Sequence, residues 1–404
     1  MTDYARMQKM GAVKGVTDGP APGDTYRIAY IIHFLLGAGN LLPWNVFITA
    51  VDYFGCLYPA RNVEKVFSVA YMTCSLLVLV LAVSRGGWSS KLSYRLRMNL
   101  GFFMFVLSLM VPPIIDRTWS KKGSNAAYGV TVASVVICGL ADGLIAGSLI
   151  GSAGKLPKEY MQAVFAGTAS SGVLVSILRI STKASLPQTS QGLRTSAHFY
   201  FIVSTVIMLC CCLGCNLLNK LPIMQHHHRL LSVSDDPLSS QQKFWTVARK
   251  IQQPAFGVLL ISTVTLSIFP GFIAENLKSK LLQDWYPVLL ITVYNVSDFL
   301  GKSFTAIYVL KSVKRATWAC TARVLFYPLF AVCLHGPKWL RSEAPFVALT
   351  FILGLTNGYL TSVIMILTPK LVPIAEAEIA AIVMILSLGI GLVGGSILGW
   401  FWMI

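Results

Sequence analysis

Apolar residues in this chain fall in long unbroken runs rather than in strand-like alternation. Eleven runs are each near the ~20 residues needed to cross a bilayer as a helix. They lie at about 28–51, 64–84, 98–115, 126–152, 161–181, 198–219, 255–276, 286–309, 317–335, 345–368 and 378–402. The pattern predicts an all-α polytopic membrane protein with 11 transmembrane helices. The longest polar interval, 220–253, divides the chain 6+5. That gives a tail (1–27), a six-helix bundle (28–219), a flexible loop (220–253) and a five-helix bundle (254–404). The loop carries His226, His227 and His228 and a Ser/Asp run from Ser232 to Asp236, read as a solvated tract.

Composition agrees. Of 404 residues, 55% are hydrophobic and 12% charged, against roughly 25% charged in soluble chains. The first 25 residues contain no apolar h-region, so the first helix is expected to act as the targeting signal. A net charge of +17 would point a soluble protein towards nucleic acid. Here the basic residues are scattered over short loops, and no nucleic-acid partner is expected. With the N-terminus inside, nineteen lysines and arginines fall on the inner side, eleven on the outer side and three within spans. That bias puts the N-terminus in the cytosol and the C-terminus on the extracellular or lumenal side. Cys210, Cys211, Cys212 and Cys215 sit in an apolar run without His or acid, so they are read as core residues and no metal site is expected.

Two apolar runs are interrupted. The first contains Pro43, Trp44 and Asn45, and the seventh contains Pro270, each proline about fifteen residues from the start of its run. Proline removes a helix donor, and lipid cannot satisfy the freed carbonyl, so both breaks are expected to border a cavity. Broken helices in matching positions of two halves point to a transporter's substrate site.

Charges within spans are costly and therefore informative. Asn295, Asp298 and Lys302 recur at spacings of three and four, which places them on one helical face. Asp298 and Lys302 form an i,i+4 pair of opposite sign, suited to a hydroxyl-bearing solute; a structural ion pair is the competing reading. Asp142 adjoins a stripe of Gly139, Gly143, Gly147 and Gly151 that allows close helix approach. It is either a protonatable group, since burial disfavours a charged carboxylate, or an inter-helix tie. Arg323 is read as a gating or structural residue. Glu376 and Glu378 suit the first turn of the last helix. Signatures of hydrolases, zinc proteases and nucleotide-binding loops are missing, so no enzyme activity and no cofactor are expected.

Several stretches together resemble the equilibrative nucleoside transporter family, with the wording of its plant branch: G-A-G-N-L-L-P-W-N (37–45), G-S-L-I-G-S-A-G-K-L-P (147–157), F-P-G-F (269–272), N-x-x-D-x-x-G-K-S (295–303), T-N-G-Y-L-T-S (356–362) and P-K-x-x-x-x-A-E-A-E (369–378). The resemblance runs from Tyr26 to the end of the chain, in the family's order. It implies a major-facilitator-like fold and transport of purine and pyrimidine nucleosides, adenosine and uridine among them, by alternating access. Carried over position by position, Leu41 and Trp44 would line the nucleobase end, and Asn45 and Ile48 on the same helix are further substrate-binding candidates. Asp298 and Lys302 would hold the ribose hydroxyls, while Phe269 and Asn295 would shape the cavity.

Three positions depart from the family pattern. Ala146 stands where animal members have a base-contacting glutamine, Asp142 replaces a small residue, and Lys302 replaces arginine and so gives up the planar fork. Plant relatives are often proton-coupled, which makes H⁺ symport the expectation, with Asp298 or Asp142 as the proton site. The alternatives are an uncoupled facilitator of the same substrates and, more remotely, a receptor or channel. A monomer in the plasma membrane is expected, with the vacuolar membrane as the alternative, and no obligate protein partner.

Overall fold

A computed structural model describes residues 27–399, apart from 60, 62, 85–92, 119–123, 188, 226–239, 270–278, 280–281, 283–284, 336 and 338–341. The described residues are helices and short connections, without strands. We number the helices α1 (Ile28–Thr49), α2 (Val51–Leu57), α3 (Val63–Ser84), α4 (Tyr94–Thr118), α5 (Asn125–Gly154), α6 (Lys158–Ser185), α7 (Ser190–Leu218), α8 (Ser240–Lys250), α9 (Gln252–Ile268), α10 (Trp285–Phe304), α11 (Val313–Ala322), α12 (Phe326–His335), α13 (Glu343–Leu367) and α14 (Ala377–Leu398). A 3₁₀ turn, Arg323–Leu325, joins α11 to α12.

Each of the eleven apolar runs overlaps a helix or, for the ninth, α11 and α12 together; the end of the seventh run, 270–276, lies outside the described residues. Among the described residues, eight helices are long and apolar enough to cross a membrane. The number is nine if the pair Phe244–Lys250 and Gln252–Ile268, bent by 78°, forms one span. That compares with the eleven expected. The apolar helical part of α3 is only Val66–Ala82, and α10 carries Asn295, Asp298 and Lys302 along its length. The interval expected as a flexible loop contains α8; its His triplet and Ser/Asp run lie outside the described residues.

The expected break at Pro43 is absent. Helix α1 runs unbroken through Pro43 and ends at Thr49. Its middle is clamped on α6, with Gly37 against the Val164 backbone and Gly167 against the Phe34 carbonyl. Glycine at both points brings the two backbones into contact. Close packing by neighbouring helices is the circumstance in which an intramembrane proline is tolerated within a helix. At the other proline, α9 ends at Ile268 and Phe269 is extended (φ −116°, ψ 136°), the conformation favoured just before proline. Pro270 itself lies outside the described residues.

In the first bundle α1 packs on α6 and α7, and α5 packs on α3 and α4. In the second, α9 packs on α11 and α14, and α10 on α13. Two seams join the bundles: α6 against α10, and α14 against α3 and α5. Large apolar side chains such as Ile31, Phe103, Leu213, Ile307 and Trp318 are exposed on the outside. In water such a surface would drive association; in a bilayer it is the lipid face.

Interactions between helix ends fix the two ends of the bundle. One end is basic. There Lys155 pairs with Glu378, Lys250 with Glu376 at 2.9 Å, and Arg95 donates to Asn216. At the other end Asp116 lies 3.5 Å from Arg194 and 3.2 Å from His198, and the Lys183 ammonium stands 5.4 Å from the Trp285 ring.

Candidate functional site

A cavity of about 230 Å³ lies between the bundles. All eight residues expected to touch substrate line it: Leu41, Trp44, Asn45 and Ile48 from α1, Phe269 at the end of α9, and Asn295, Asp298 and Lys302 from α10. Asp142 and Ala146 of α5 line it as well.

The α1 wall is apolar and aromatic. The Trp44 ring packs against Tyr71 of α3, centroids 4.9 Å apart and planes tilted by 42°. Phe269 lies flat against Tyr294 at 3.8 Å. Asn45 donates to Ser171 on α6 at 2.8 Å, so this amide fastens α1 to α6 while it borders the cavity.

The wall from α10 and α13 is polar and internally paired. Gly301 of α10 and Gly354 and Gly358 of α13 let the two backbones meet; a methyl group at any of the three would strike the facing backbone or the Ser297 hydroxyl. That approach brings Asn357 to Asp298, with Nδ2 donating to Oδ1 at 2.8 Å. The other oxygen, Oδ2, takes Lys302 Nζ at 2.9 Å. Asn357 Oδ1 in turn accepts from Thr265 of α9 at 2.9 Å. Thr265 Oγ1 accepts from Arg323 at 2.7 Å, and Arg323 also donates to the Leu353 carbonyl (3.1 Å) and Thr356 (2.9 Å). Arg323, in the 3₁₀ turn between α11 and α12, is therefore a tie to α9 and α13 that stands one hydrogen bond behind the cavity wall at Thr265. The chain Lys302–Asp298–Asn357–Thr265–Arg323 satisfies buried charges that would otherwise be costly.

Two contacts carry this wall across to the first bundle. Lys302 Nζ donates to Thr168 of α6 at 3.3 Å. Asn295 Nδ2 donates to the Gly172 carbonyl at 3.2 Å and to Ser176 at 2.9 Å. A side chain at Gly172 would meet Asn295 Oδ1 at 2.9 Å, so glycine is what permits this contact.

The two membrane carboxylates differ in their surroundings. Asp298 is neutralised by Lys302. Asp142 accepts from Ser75 of α3 at 2.6 Å and has no cationic partner among the described residues. Asn357, Thr265 and Thr168 escaped the sequence reading as site residues. Asn357 stood within the stretch T-N-G-Y-L-T-S; Thr265 and Thr168 gave no signal beyond a hydroxyl in an apolar run. Among the described residues no group of His, Cys, Asp and Glu could hold a metal ion.

Nearer the basic end a second cleft, of about 560 Å³, is lined by Arg27, Tyr30, Lys158 and Gln162 from the first bundle and by Thr305 and Ile366 from the second. Thr305 is three residues beyond Lys302 on the chain, so the two spaces follow one another along the same interface.

Two helical bundles with a polar-and-aromatic cavity at their junction define a membrane transporter, and the overall path of the chain is that of the major facilitator fold. A proton:xylose symporter of that superfamily superposes with a TM-score of 0.64 at 12% identity, covering 94% of this chain and 89% of its own. A human organic anion transporter does so with 0.55 at 12%, covering 96% and 95%.

The chain belongs to the nucleoside transporter family, whose model matches residues 132–241 and 232–404. It is 64% identical to equilibrative nucleotide transporter 8 of Arabidopsis thaliana, over 97% of this chain and 99% of that one. It is 49% identical to equilibrative nucleotide transporter 1 of the same plant, over 95% and 88%. It is a multi-pass membrane transporter and not an enzyme.

Proposed function

We propose that the protein moves nucleosides of the adenosine and uridine type across a membrane by alternating access, coupled to protons, with Asp142 as the proton site. The observation that carries the reading is the pairing of walls in one inter-bundle cavity. Leu41, Trp44 and Ile48 offer apolar and aromatic surface for a base; Asp298 and Lys302 offer charge-assisted hydrogen bonds to ribose hydroxyls. Two spaces in series along the interface, with Lys302 and Thr168 joining the bundles between them, suit a mechanism in which the bundles rock about a central site. The relatives' names say nucleotide, but the cavity favours uncharged substrates: Lys302, the one lysine or arginine lining it among the described residues, is already paired with Asp298, which leaves no free positive charge for a phosphate.

Of the two carboxylates, Asp142 is the better proton carrier. Neutralising Asp298 would strand Lys302 without its counter-ion, whereas Asp142 has no cation to strand. The competing reading is uncoupled facilitation. It is favoured by the word "equilibrative" in the relatives' names and by the Ser75 hydrogen bond, which stabilises an ionised Asp142. The basic end of the bundle is assigned to the cytosol by the positive-inside rule, and the protein is read as a monomer of the plasma membrane, the vacuolar membrane being the alternative.

The test is uptake of labelled adenosine and uridine by proteoliposomes, with and without an imposed pH gradient. Uptake accelerated by acid on the side of entry is expected. Uptake indifferent to the gradient removes the coupling; no uptake of either nucleoside removes the transport reading.

A further inference from the structure

Most of the polar side chains lining the central cavity are engaged by the protein. Asn45 donates to Ser171, Asn295 to Gly172 and Ser176, and Asn357 to Asp298. Asp298 and Lys302 hold each other, and Asp142 is held by Ser75. Among the described residues, two buried polar atoms of the wall have no partner, the Tyr71 hydroxyl of α3 and the amide oxygen of Asn40 of α1, and of the two residues Asn40 alone is an amide. Asn40 lines the cavity and is only 7% exposed, yet its Oδ1 is buried with no hydrogen-bond partner. Such an acceptor is a standing cost to the empty protein. The terminal torsion of asparagine is broad, so a turn of the amide presents Oδ1 to a donor entering the cavity.

The position of Asn40 says which part of a ligand would bring that donor. Asn40, Trp44 and Ile48 are spaced by four, so they form one stripe along α1. This is the apolar and aromatic stripe, remote in chemistry from the charged pair on α10. Gly39 lies against Phe102 of α4, and Gly101 lies against Ile145 of α5. Ala146 of α5, the residue after Ile145, lines the same cavity as Asn40, and its methyl group offers no hydrogen bond. Asn40 Oδ1 thus stands without a partner on the stretch of cavity wall that is otherwise apolar and aromatic.

We propose that Asn40 is the specificity-determining contact to the edge of the nucleobase, and that its unmet acceptor selects bases carrying a hydrogen-bond donor, such as the exocyclic amine of adenine. The inference rests on the nucleoside reading above and names how the base is chosen. A purine carrying no donor on its ring leaves the acceptor unmet. It occupies the same space but gains nothing from Asn40.

The experiment compares adenosine with purine riboside, which differs by loss of the 6-amino group, in wild type, Asn40→Leu and Asn40→Ala. Leucine keeps the approximate volume; alanine guards against a leucine variant that fails to fold. Wild type is expected to prefer adenosine by about 2- to 12-fold in kcat/KM, the range of one neutral hydrogen bond. Both variants are expected to bring that ratio to about one, chiefly by slowing adenosine. A purely structural role for Asn40 would slow both substrates equally and keep the ratio. Preservation of the preference in folded variants, or no preference in wild type that transports both, overturns the proposal. Failure of wild type to transport either compound instead overturns the nucleoside reading on which the proposal stands.

Discussion

Asp298 and Asn357 meet across the α10–α13 contact, Asn357 Nδ2 donating to Asp298 Oδ1 at 2.8 Å while Lys302 holds the other oxygen at 2.9 Å. The carboxylate is thereby fixed from two directions before any ligand arrives. Side chains fixed in this way bind with little loss of freedom. Asn357 also passes the constraint on through Thr265 to Arg323, so the orientation of Asp298 depends on four helical elements.

Asp298→Asn is expected to reduce adenosine uptake by at least about tenfold, the lower range for loss of a charged hydrogen bond. It should also lower the thermal midpoint of the purified protein, because Lys302 is left buried without its counter-charge. The double variant Asp298→Asn with Lys302→Met removes both charges. It is expected to regain the thermal midpoint but not the uptake. Uptake recovered by the double variant would make the pair structural rather than part of the site.

The pair Asp298–Lys302 was legible because an i,i+4 spacing is a local property of one helix, and so was its companion Asn295. The helices were legible because lipid imposes apolar runs of fixed length. What could not be read was which polar groups on other helices would complete the wall. Asn357 reaches Asp298 only because glycines at 301, 354 and 358 bring two backbones together, a fact of packing and not of either sequence stretch alone. Pro43 was misread for a related reason. A proline interrupts an isolated helix, but α1 is clamped along its middle by α6, and the tertiary contact outweighs the local penalty.

Asp142→Asn should abolish the response to a pH gradient without abolishing uptake. The sign follows from the chemistry. A carboxylate that must be protonated to move with substrate makes uptake faster when the side of entry is acid, and slower as that side becomes alkaline. An amide cannot titrate, so the variant should carry adenosine at the same rate on both sides of the comparison. Uptake in proteoliposomes of wild type and variant, with acid or neutral solution outside, checks this. A variant that still responds to the gradient would move the proton site elsewhere.

At the basic end, Lys155 of the first bundle pairs with Glu378 of the second. Their side chains are 28% and 30% exposed, so solvent screens the pair and its worth is about 0–1 kcal/mol. Glu378→Gln is therefore expected to favour separation of the bundles at this end by no more than about fivefold. The exchange Lys155→Glu with Glu378→Lys should restore the original balance. Labelling rates of a cysteine placed at Ile382, which lies beside Gly151, report the opening directly. A change far larger than this, or no rescue by the exchange, would show that Glu378 acts through another partner.

Gly358 offers the sharpest test of the packing that builds the site. A methyl group there would collide with the carbonyl of Asp298 and meet the amide nitrogen of Lys302 at 3.0 Å. Both contacts are backbone, so relief requires α13 to move off α10. Overpacking of this kind costs about 1–3 kcal/mol. Gly358→Ala is expected to lower the thermal midpoint and to weaken adenosine uptake, since Asn357 moves with its helix away from Asp298. Gly394→Ala on α14 is the matched control: the nearest atom to its added methyl is Thr263 Oγ1 at 3.8 Å, an ordinary contact, and both measurements should stay at wild-type values. If Gly358→Ala behaves like Gly394→Ala, the close approach of α10 and α13 is not what positions Asp298.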